Sequence, residues 1–221
     1  RVQQMTTTSQ TVGSSVHIKI KNDIISGTLK PGTKLKLDTL KIRYAASVST
    51  LRETLNRLTS EGFVEAPEQR GFLVSGMSRE DLTELSNLRI LLECTALRAS
   101  IAFGDDEWEG NLASAHHKLA TLETRVINGE DVPSEQRRMY DWIFHFSLVK
   151  ACNSQNLINV FENVFERYIR YQVSIFPHRC GKTLMEHKEI FDAALSRDSE
   201  LASEKLKTHL RKCLSFSLSG M

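Results

Sequence analysis

The residues Ser47 to Glu65, with the sequence SVSTLRETLNRLTSEGFVE, decide the fold of the first part of this chain. A serine, Ser47 or Ser49, can cap a helix whose leucines recur every three or four residues, and Gly62 is placed to end it. The leucines of this apolar stripe are Leu51, Leu55 and Leu58. Hydroxyl and arginine side chains fall off the stripe, so the sequence predicts an amphipathic helix that exposes its cationic groups.

A second predicted helix, LDTLKIRYA at residues 37–45, comes just before this one. Leu40 and Tyr44 face inward in the helical pattern, and Asp38 or Thr39 can cap it. Two helices joined by a short turn, with hydroxyls and arginines at the start of the second, are typical of the helix-turn-helix motif. In that motif the second helix enters the major groove of DNA.

The segments on either side complete a recognisable order of elements. Downstream, FVEAPEQRGFLV at residues 63–74 alternates like two strands around Pro67 to Gly71, which predicts a β-hairpin. Upstream, an amphipathic helix from Val16 to Ser26 leads into the turn Pro31-Gly32 and a brief extended segment. The order helix, short strand, helix, turn, helix, hairpin predicts a winged helix-turn-helix domain.

Charge is distributed unevenly along the 221 residues. Residues 1–77 carry 11 Lys and Arg against 6 Asp and Glu, a balance of +5, whereas residues 78–221 carry 18 against 21, a balance of −3. A basic front part beside a mildly acidic back part fits a nucleic-acid reader joined to a different module. We therefore predict a flexible tail at residues 1–13, a winged-helix DNA-binding domain at 14–77 and a second domain at 78–221.

Composition excludes several classes of protein. The cysteines are widely spaced without a CxxC pair, so neither a disulfide framework nor a thiolate zinc site is indicated. They are Cys94, Cys152, Cys180 and Cys213. No apolar run is long enough to span a bilayer, and the N-terminal segment lacks the apolar core of a signal peptide. The expectation is a cytoplasmic protein with no membrane partner.

Residues 78–221 are predicted to be helical throughout. Ser78 can cap the first, with Asp81 three residues later, and no strand-like alternation competes. The predicted helices cover residues 78–103, 106–128, 134–152, 155–175, 183–196 and 199–218. A mainly α fold follows, in which an all-α bundle of six or seven helices stands behind the winged helix.

The stretch MYDWIFHFSLVKACN, residues 139–153, holds a candidate metal site. Asp141 and His145 are four residues apart and share a helix face. His187 and His209 lie on two further predicted helices, each among core-facing residues. Packing of the three helices would bring one carboxylate and three imidazoles together, although a hydrogen-bonded pair without metal is the alternative. His116, His117 and His178 are interpreted as surface residues.

A catalytic metal centre would also need a general base within reach. The chain has no HExxH, GxSxG or glycine-rich phosphate loop. Glu186 neighbours His187 in sequence, but adjacent helical residues point in different directions. A metal-dependent enzyme acting on a small organic acid is therefore kept only as the alternative.

In its first part the chain resembles the GntR family of bacterial transcription regulators. IISGTLKPGTKL, SVSTLRETLNRLTSEGFVE and QRGFLV carry the resemblance, which implies a repressor that binds a two-fold DNA operator as a homodimer. The DNA contacts expected are Ser47, Ser49, Thr50, Arg52 and Arg57 on the second helix of the motif, and Arg70 and Gly71 at the wing tip. Many members have an arginine where this chain has Val48 and a glycine where it has Ala45.

The second part resembles the FadR-like, or FCD, subgroup of that family. The matching segments are DWIFHFSLVKACN, EHKEIFDAAL and ASEKLKTHL, and the resemblance implies an effector-binding and dimerisation domain. The implied ligands of a divalent metal are Asp141, His145, His187 and His209. This set suits zinc, nickel or another first-row ion better than magnesium or calcium. Arg89 would face the pocket and bind a small carboxylate effector, although an intrahelical pair with Glu93 is equally compatible with the sequence.

Overall fold

The computed structural model describes residues 12–175 and 180–221, and the chain divides into two compact units, Arg1–Met77 and Ser78–Met221. Most of the predicted tail at residues 1–13 lies outside the described residues. Val12 and Gly13 belong to the first helix.

The first unit is a winged helix-turn-helix, as predicted. Its elements are α1 (Val12–Ile25), α2 (Leu37–Tyr44), α3 (Val48–Ser60), β1 (Val64–Glu65) and β2 (Leu73–Val74). The two strands are antiparallel, with Val64 opposite Val74 and Glu65 opposite Leu73. Leu35 N donates to the carbonyl oxygen of Phe72 at 2.8 Å, so the extended segment after the Pro31-Gly32 turn lies against the second strand of the hairpin.

Helix α3 forms where the sequence predicts it. The Ser47 hydroxyl accepts a hydrogen bond from Thr50 N at 3.1 Å and caps the helix. The leucine stripe is fully buried against α1 and Phe63. This burial fixes one face of α3 inward, so the opposite face remains available to solvent.

The turn between α2 and α3 is formed by Ala45, which has a φ of 49° in the left-handed region. That conformation costs a residue with a Cβ atom about 1–2 kcal/mol, and glycine would avoid the cost. At the other end of α2, the N-cap position is Lys36, which makes no side-chain cap bond. The predicted cap by Asp38 or Thr39 is wrong, because the helix begins at Leu37 and both residues already lie in its first turn.

The second unit is all helical in the described residues, which confirms the predicted mainly α fold. Its helices are α4 (Arg79–Phe103), α5 (Asp106–Ile127), α6 (Ser134–Val149), α7 (Gln155–Ile175), α8 (Cys180–Leu195) and α9 (Ser199–Ser219). Helix α4 packs against α6, α7 and α9, and α8 packs between α5 and α9. The histidines on α6, α8 and α9 meet inside this bundle.

Arg197 links the α8–α9 loop to the α4–α5 loop at the same end of the bundle. Arg197, in the loop between α8 and α9, donates hydrogen bonds to the carbonyl oxygens of Ile101 at 2.7 Å and Gly104 at 2.9 Å. Its guanidinium also binds Glu109 and lies 5.2 Å from the ring centroid of Trp108. The α8–α9 loop is thereby tied to the α4–α5 corner.

Among the described residues, no helix has both the length and the apolarity needed to cross a membrane.

Candidate functional site

Three histidines from three helices meet in the interior of the second unit. His145 on α6, His187 on α8 and His209 on α9 each offer a ring nitrogen, and these nitrogens lie within 4.8 Å of one another. All three side chains are buried. The structure thus brings together the three imidazoles that the sequence had placed on separate helices.

Each imidazole is oriented by a glutamate that belongs to a different helix. The Nδ1 to carboxylate distances are 2.7 Å for His145 with Glu93 on α4, 3.1 Å for His187 with Glu123 on α5, and 2.8 Å for His209 with Glu186 on α8. A carboxylate beside Nδ1 holds the proton there and leaves the lone pair on Nε2. The same arrangement orients histidine ligands in protein metal sites.

The Nε2 atoms of His145 and His187 are buried, and neither has a hydrogen-bond partner among the described residues. An unsatisfied buried polar atom costs about 1–3 kcal/mol, so such atoms call for a partner that the chain itself does not supply. Two inward-facing imidazole nitrogens with free lone pairs fit a transition-metal ion. The residues present are therefore suited to hold one.

Asp141 lies beside the same two nitrogens. Its Oδ1 is 3.9 Å from His145 Nε2 and 3.7 Å from His187 Nε2, and its side chain is 24% exposed. The carboxylate therefore approaches the histidines from the more accessible side. A metal bound by the imidazoles would have this carboxylate oxygen close by.

Burial and neighbouring charge divide the three histidines into two kinds. Burial lowers the pKa of His145 well below its ordinary value and lowers the pKa of His209 to about 3. Burial also opposes charge on His187, but the hydrogen bond and charge of Glu123 outweigh it and raise the pKa of this side chain. Two imidazoles are therefore kept neutral and ready to bind a metal, and at the third, His187, a proton competes more strongly with a metal for Nε2.

The metal-free protein is expected to lose stability on the order of 2 kcal/mol between pH 7 and pH 5. The unfolded chain protonates His145 and His209 near a pKa of 6.5, and the fold keeps them neutral, so this contribution to stability is lost as the pH falls. The raised pKa of His187 acts in the opposite direction and offsets part of the loss. Denaturant unfolding of chelator-treated protein at both pH values measures the change. The His209→Asn variant should lose less than the wild type, and an equal or larger loss would contradict the assignment.

Arg89 lies between the histidine cluster and two aromatic side chains of α7. It is 2% exposed, and its Nε binds Glu93, so the intrahelical pair considered above is present. Its guanidinium lies 4.2 Å from the ring centroid of Phe165 and 4.8 Å from that of Tyr168. The Nη2 atom is buried and has no hydrogen-bond partner among the described residues. One cationic donor therefore remains unused beside the histidine cluster.

The other histidines differ from one another. His116 is half-buried and stacks on Phe191 with ring centroids 4.2 Å apart, so its prediction as a surface residue is wrong. Its aromatic partner lies on α8, which the local pattern around His116 could not reveal. His117 is exposed, as predicted. His178 lies outside the described residues.

The predicted DNA contacts on α3 lie at the start of the helix and on the face opposite its buried leucines. Arg52 is exposed and free to reach a ligand, and Arg57 is exposed with its Nε donating to Glu61 at 2.9 Å. The Ser47 hydroxyl, besides capping α3, is within hydrogen-bond distance of the hydroxyls of Ser49 and Thr50 at 2.8 and 2.9 Å. This small hydroxyl network lies at the start of the helix, where backbone amides favour anionic groups such as phosphate.

The remaining predicted contacts lie on the hairpin. Arg70 and Gly71 are exposed in the segment that joins β1 to β2. Gly71 has a φ of 72°, a conformation that glycine adopts without strain. Together with α3, the tip supplies a second cationic element on the first unit.

The sequence of this chain is similar to those of known families and proteins. The family described as "FCD domain" matches residues 84–212, and the family described as "Bacterial regulatory proteins, gntR family" matches residues 13–74. The uncharacterized HTH-type transcriptional regulator BphR of Paraburkholderia xenovorans is 35% identical over 201 residues, which are 89% of this chain and 81% of that protein. The HTH-type transcriptional repressor GlaR of Escherichia coli is 31% identical over 197 residues, which are 86% of this chain and 89% of that protein.

A solved structure gives the same result. A transcriptional regulator of GntR type from Rhodococcus sp. RHA1 superposes with a TM-score of 0.76 at 25% identity and covers 95% of this chain and 98% of that one. The matching family and these relatives are named as regulators of transcription, so the alternative of a metal-dependent enzyme is set aside. The chain belongs to the GntR family of bacterial regulatory proteins, carries an FCD domain behind its winged helix, and is a DNA-binding transcription regulator.

Proposed function

We propose that this regulator is a repressor whose affinity for its operator is set by a small carboxylate bound at a metal ion in the second unit. The observation that carries the proposal is the convergence of three buried imidazoles, two of which have Nε2 atoms without a partner among the described residues. The proposed ligands are Asp141, His145, His187 and His209. A set rich in imidazole favours zinc, with nickel or another first-row ion as substitutes.

The metal would supply positive charge and open coordination positions for the oxygens of an acid. Arg89 would add a guanidinium donor, since its buried Nη2 has no partner among the described residues. A carboxylate that pairs with this donor and the metal would gain charge-assisted hydrogen bonding in a site with little water. This combination supports an organic acid as the effector class.

On the DNA side, we propose a homodimer that places two copies of α3 in successive major grooves of a two-fold operator. Arg52 would read base edges, and the hydroxyls of Ser47, Ser49 and Thr50, with Arg57, would contact the phosphates around it. Arg70 and Gly71 would approach the adjacent backbone or minor groove. Acting on DNA, the protein would work in the cytoplasm, and the name of GlaR as a repressor supports the same direction of control.

Regulation would follow from thermodynamic linkage between effector binding and operator binding. An effector that binds one arrangement of the dimer more tightly than another shifts the population toward it. The resulting change in operator affinity can be no larger than the ratio of the effector affinities of the two arrangements. Release of the operator when the acid binds is the proposed outcome.

Arg52→Ala is expected to weaken operator binding by about 10- to 100-fold, which corresponds to loss of one bidentate base contact. The measurement is fluorescence anisotropy with a DNA site selected by the wild-type protein from a random pool. Arg52 is exposed and lies off the buried stripe of α3, so the fold and the zinc content should not change.

Arg211→Ala serves as the matched control, because it removes the same charge from an exposed position on α9. If both variants bound the operator as tightly as the wild type, α3 would not be the reading helix. Equal weakening by both would indicate a non-specific charge effect in place of base reading.

A further inference from the structure

The backbone that joins the two units is held on both sides of a single residue. Gly76 N donates to Glu65 Oε1 at 3.2 Å, a bond within the first unit. Ser78 N donates to Tyr171 Oη at 3.2 Å, a bond within the second. Met77 lies between these two anchored amides. We call residues 76–78 the connector, and its short length leaves few free backbone angles between the anchors.

The anchor in the second unit is a network of side chains around Asp81. Tyr171 Oη donates to Asp81 Oδ2 at 2.6 Å, and Arg167 Nη2 donates to Asp81 Oδ1 at 3.1 Å. Asp81 N in turn donates to the Ser78 hydroxyl at 3.1 Å, which caps α4. Burial and the hydrogen bond to Asp81 raise the pKa of Tyr171 to about 12, so its hydroxyl keeps its proton and can donate and accept at once.

Tyr171 and Arg167 both belong to α7, and the same helix carries the aromatic rings that contact Arg89. Phe165 and Tyr168 carry the ring faces over which the Arg89 guanidinium lies. Tyr168 precedes Tyr171 by three residues, so the two side chains share one face of the helix. Both are about 1% exposed, and neither has room to move independently of the helix.

We propose that α7 transmits a change in the stack of Arg89 on its aromatic rings to the connector, with Tyr171 as the positioning residue that fixes where the chain leaves the second unit. A packed helix moves as a body by about 1–2 Å in such transitions. A ligand that shifts the stack of Arg89 on Phe165 and Tyr168 therefore shifts the Tyr171 hydroxyl as well. This inference rests on the proposed function, because it names the route by which the proposed effector site would act on the DNA-binding unit.

The anchor depends on one atom, the hydroxyl oxygen of Tyr171. A phenol hydroxyl can accept from Ser78 N and donate to Asp81 at the same time, whereas a phenyl ring can do neither. Tyr171→Phe removes only this oxygen and keeps the ring in the bundle. Arg167 would still hold Asp81, so the fold of the second unit should remain intact.

Hydrogen–deuterium exchange on the full chain tests the anchor without any ligand. In metal-free protein, Tyr171→Phe is expected to speed exchange of the connector amides by about tenfold, the effect of losing one hydrogen bond of ordinary strength. Tyr140→Phe, the same change on α6, is the matched control and should leave the connector unchanged. Connector exchange that is the same in Tyr171→Phe and wild type would overturn the inference, whatever the metal does.

A second set of hydrogen–deuterium exchange measurements adds Zn²⁺ alone as the probe. In the wild type, zinc is expected to slow exchange in the helices that carry His145, His187 and His209 and also in the connector. In Tyr171→Phe the three helices should respond as before while the connector no longer does. A connector that fails to respond in the wild type, or still responds in the variant, would overturn the coupling. Absence of any zinc response in the wild-type histidine helices would instead count against the proposed metal site, and the metal-free arm would still decide the anchor.

Discussion

Glu93→Leu is expected to lower the free energy of unfolding by about 3–5 kcal/mol, the cost of leaving a buried charge without its partner. Glu93 is fully buried and binds both Arg89 and Nδ1 of His145. Leucine fills much of the same volume but offers no charge, so the guanidinium of Arg89 would remain in the interior without a carboxylate. Denaturant unfolding of the metal-free protein, monitored by far-UV circular dichroism, measures the loss.

Two further variants separate this cause from loss of packing. Arg89→Leu combined with Glu93→Leu removes both charges and should be more stable than Glu93→Leu alone, because paired charges can be replaced by apolar residues at small cost. Glu200→Leu, at an exposed pair with Arg98, should change stability by less than about 1 kcal/mol. A double variant as unstable as the single one would show that the cost comes from packing instead.

His187→Ala is expected to reduce zinc affinity by more than about 100-fold, since loss of a ligand should exceed the 10- to 100-fold cost of losing an outer-shell partner. His187 is the histidine nearest to Asp141, and its Nε2 lies 3.7 Å from that carboxylate. Competition of each variant against a chromophoric chelator gives the affinity. His117→Ala, at an exposed position on α5, is the control and should bind zinc as the wild type does.

Glu123→Gln gives a milder version of the same test. It keeps a hydrogen-bond acceptor for His187 Nδ1 but removes the negative charge, so zinc affinity should fall by about 10- to 100-fold while the imidazole stays in place. If the metal served the fold alone, stability would fall in step with affinity and the effector response would survive. Unchanged zinc affinity in both variants would remove these residues from the metal site.

Local patterns in the sequence account for the helices and for the inward direction of the histidines. The leucine stripe of α3, the Ser47 cap and the Ser78 cap depend on residues within one or two turns of each other, which is why they could be predicted. The placement of His145, His187 and His209 on core-facing positions followed from the same periodicity. Their meeting at one point was a possibility that packing of the three helices left open, and the resemblance to a family added support for it.

The glutamates that orient the histidines were missed, because each partner lies on another helix. Glu93 and Glu123 are separated from their histidines by 52 and 64 residues, distances over which periodicity carries no information. Glu186 was expected to point away from His187, and its carboxylate instead binds His209. A buried glutamate on the apolar face of α5, such as Glu123, was the available signal, since a buried carboxylate requires a partner.

The contacts of Arg197 carry a consequence for how the protein is made. Arg197 binds the carbonyl oxygens of Ile101 and Gly104, which precede it by 96 and 93 residues. A ribosome adds about 5–20 residues per second, so the corner between α4 and α5 waits about 5–20 s for its clamp during synthesis. His209, which completes the histidine cluster, is made later still. The winged helix is finished before either, so a newly made chain holds its DNA-binding unit before the histidine cluster of the second unit can be completed.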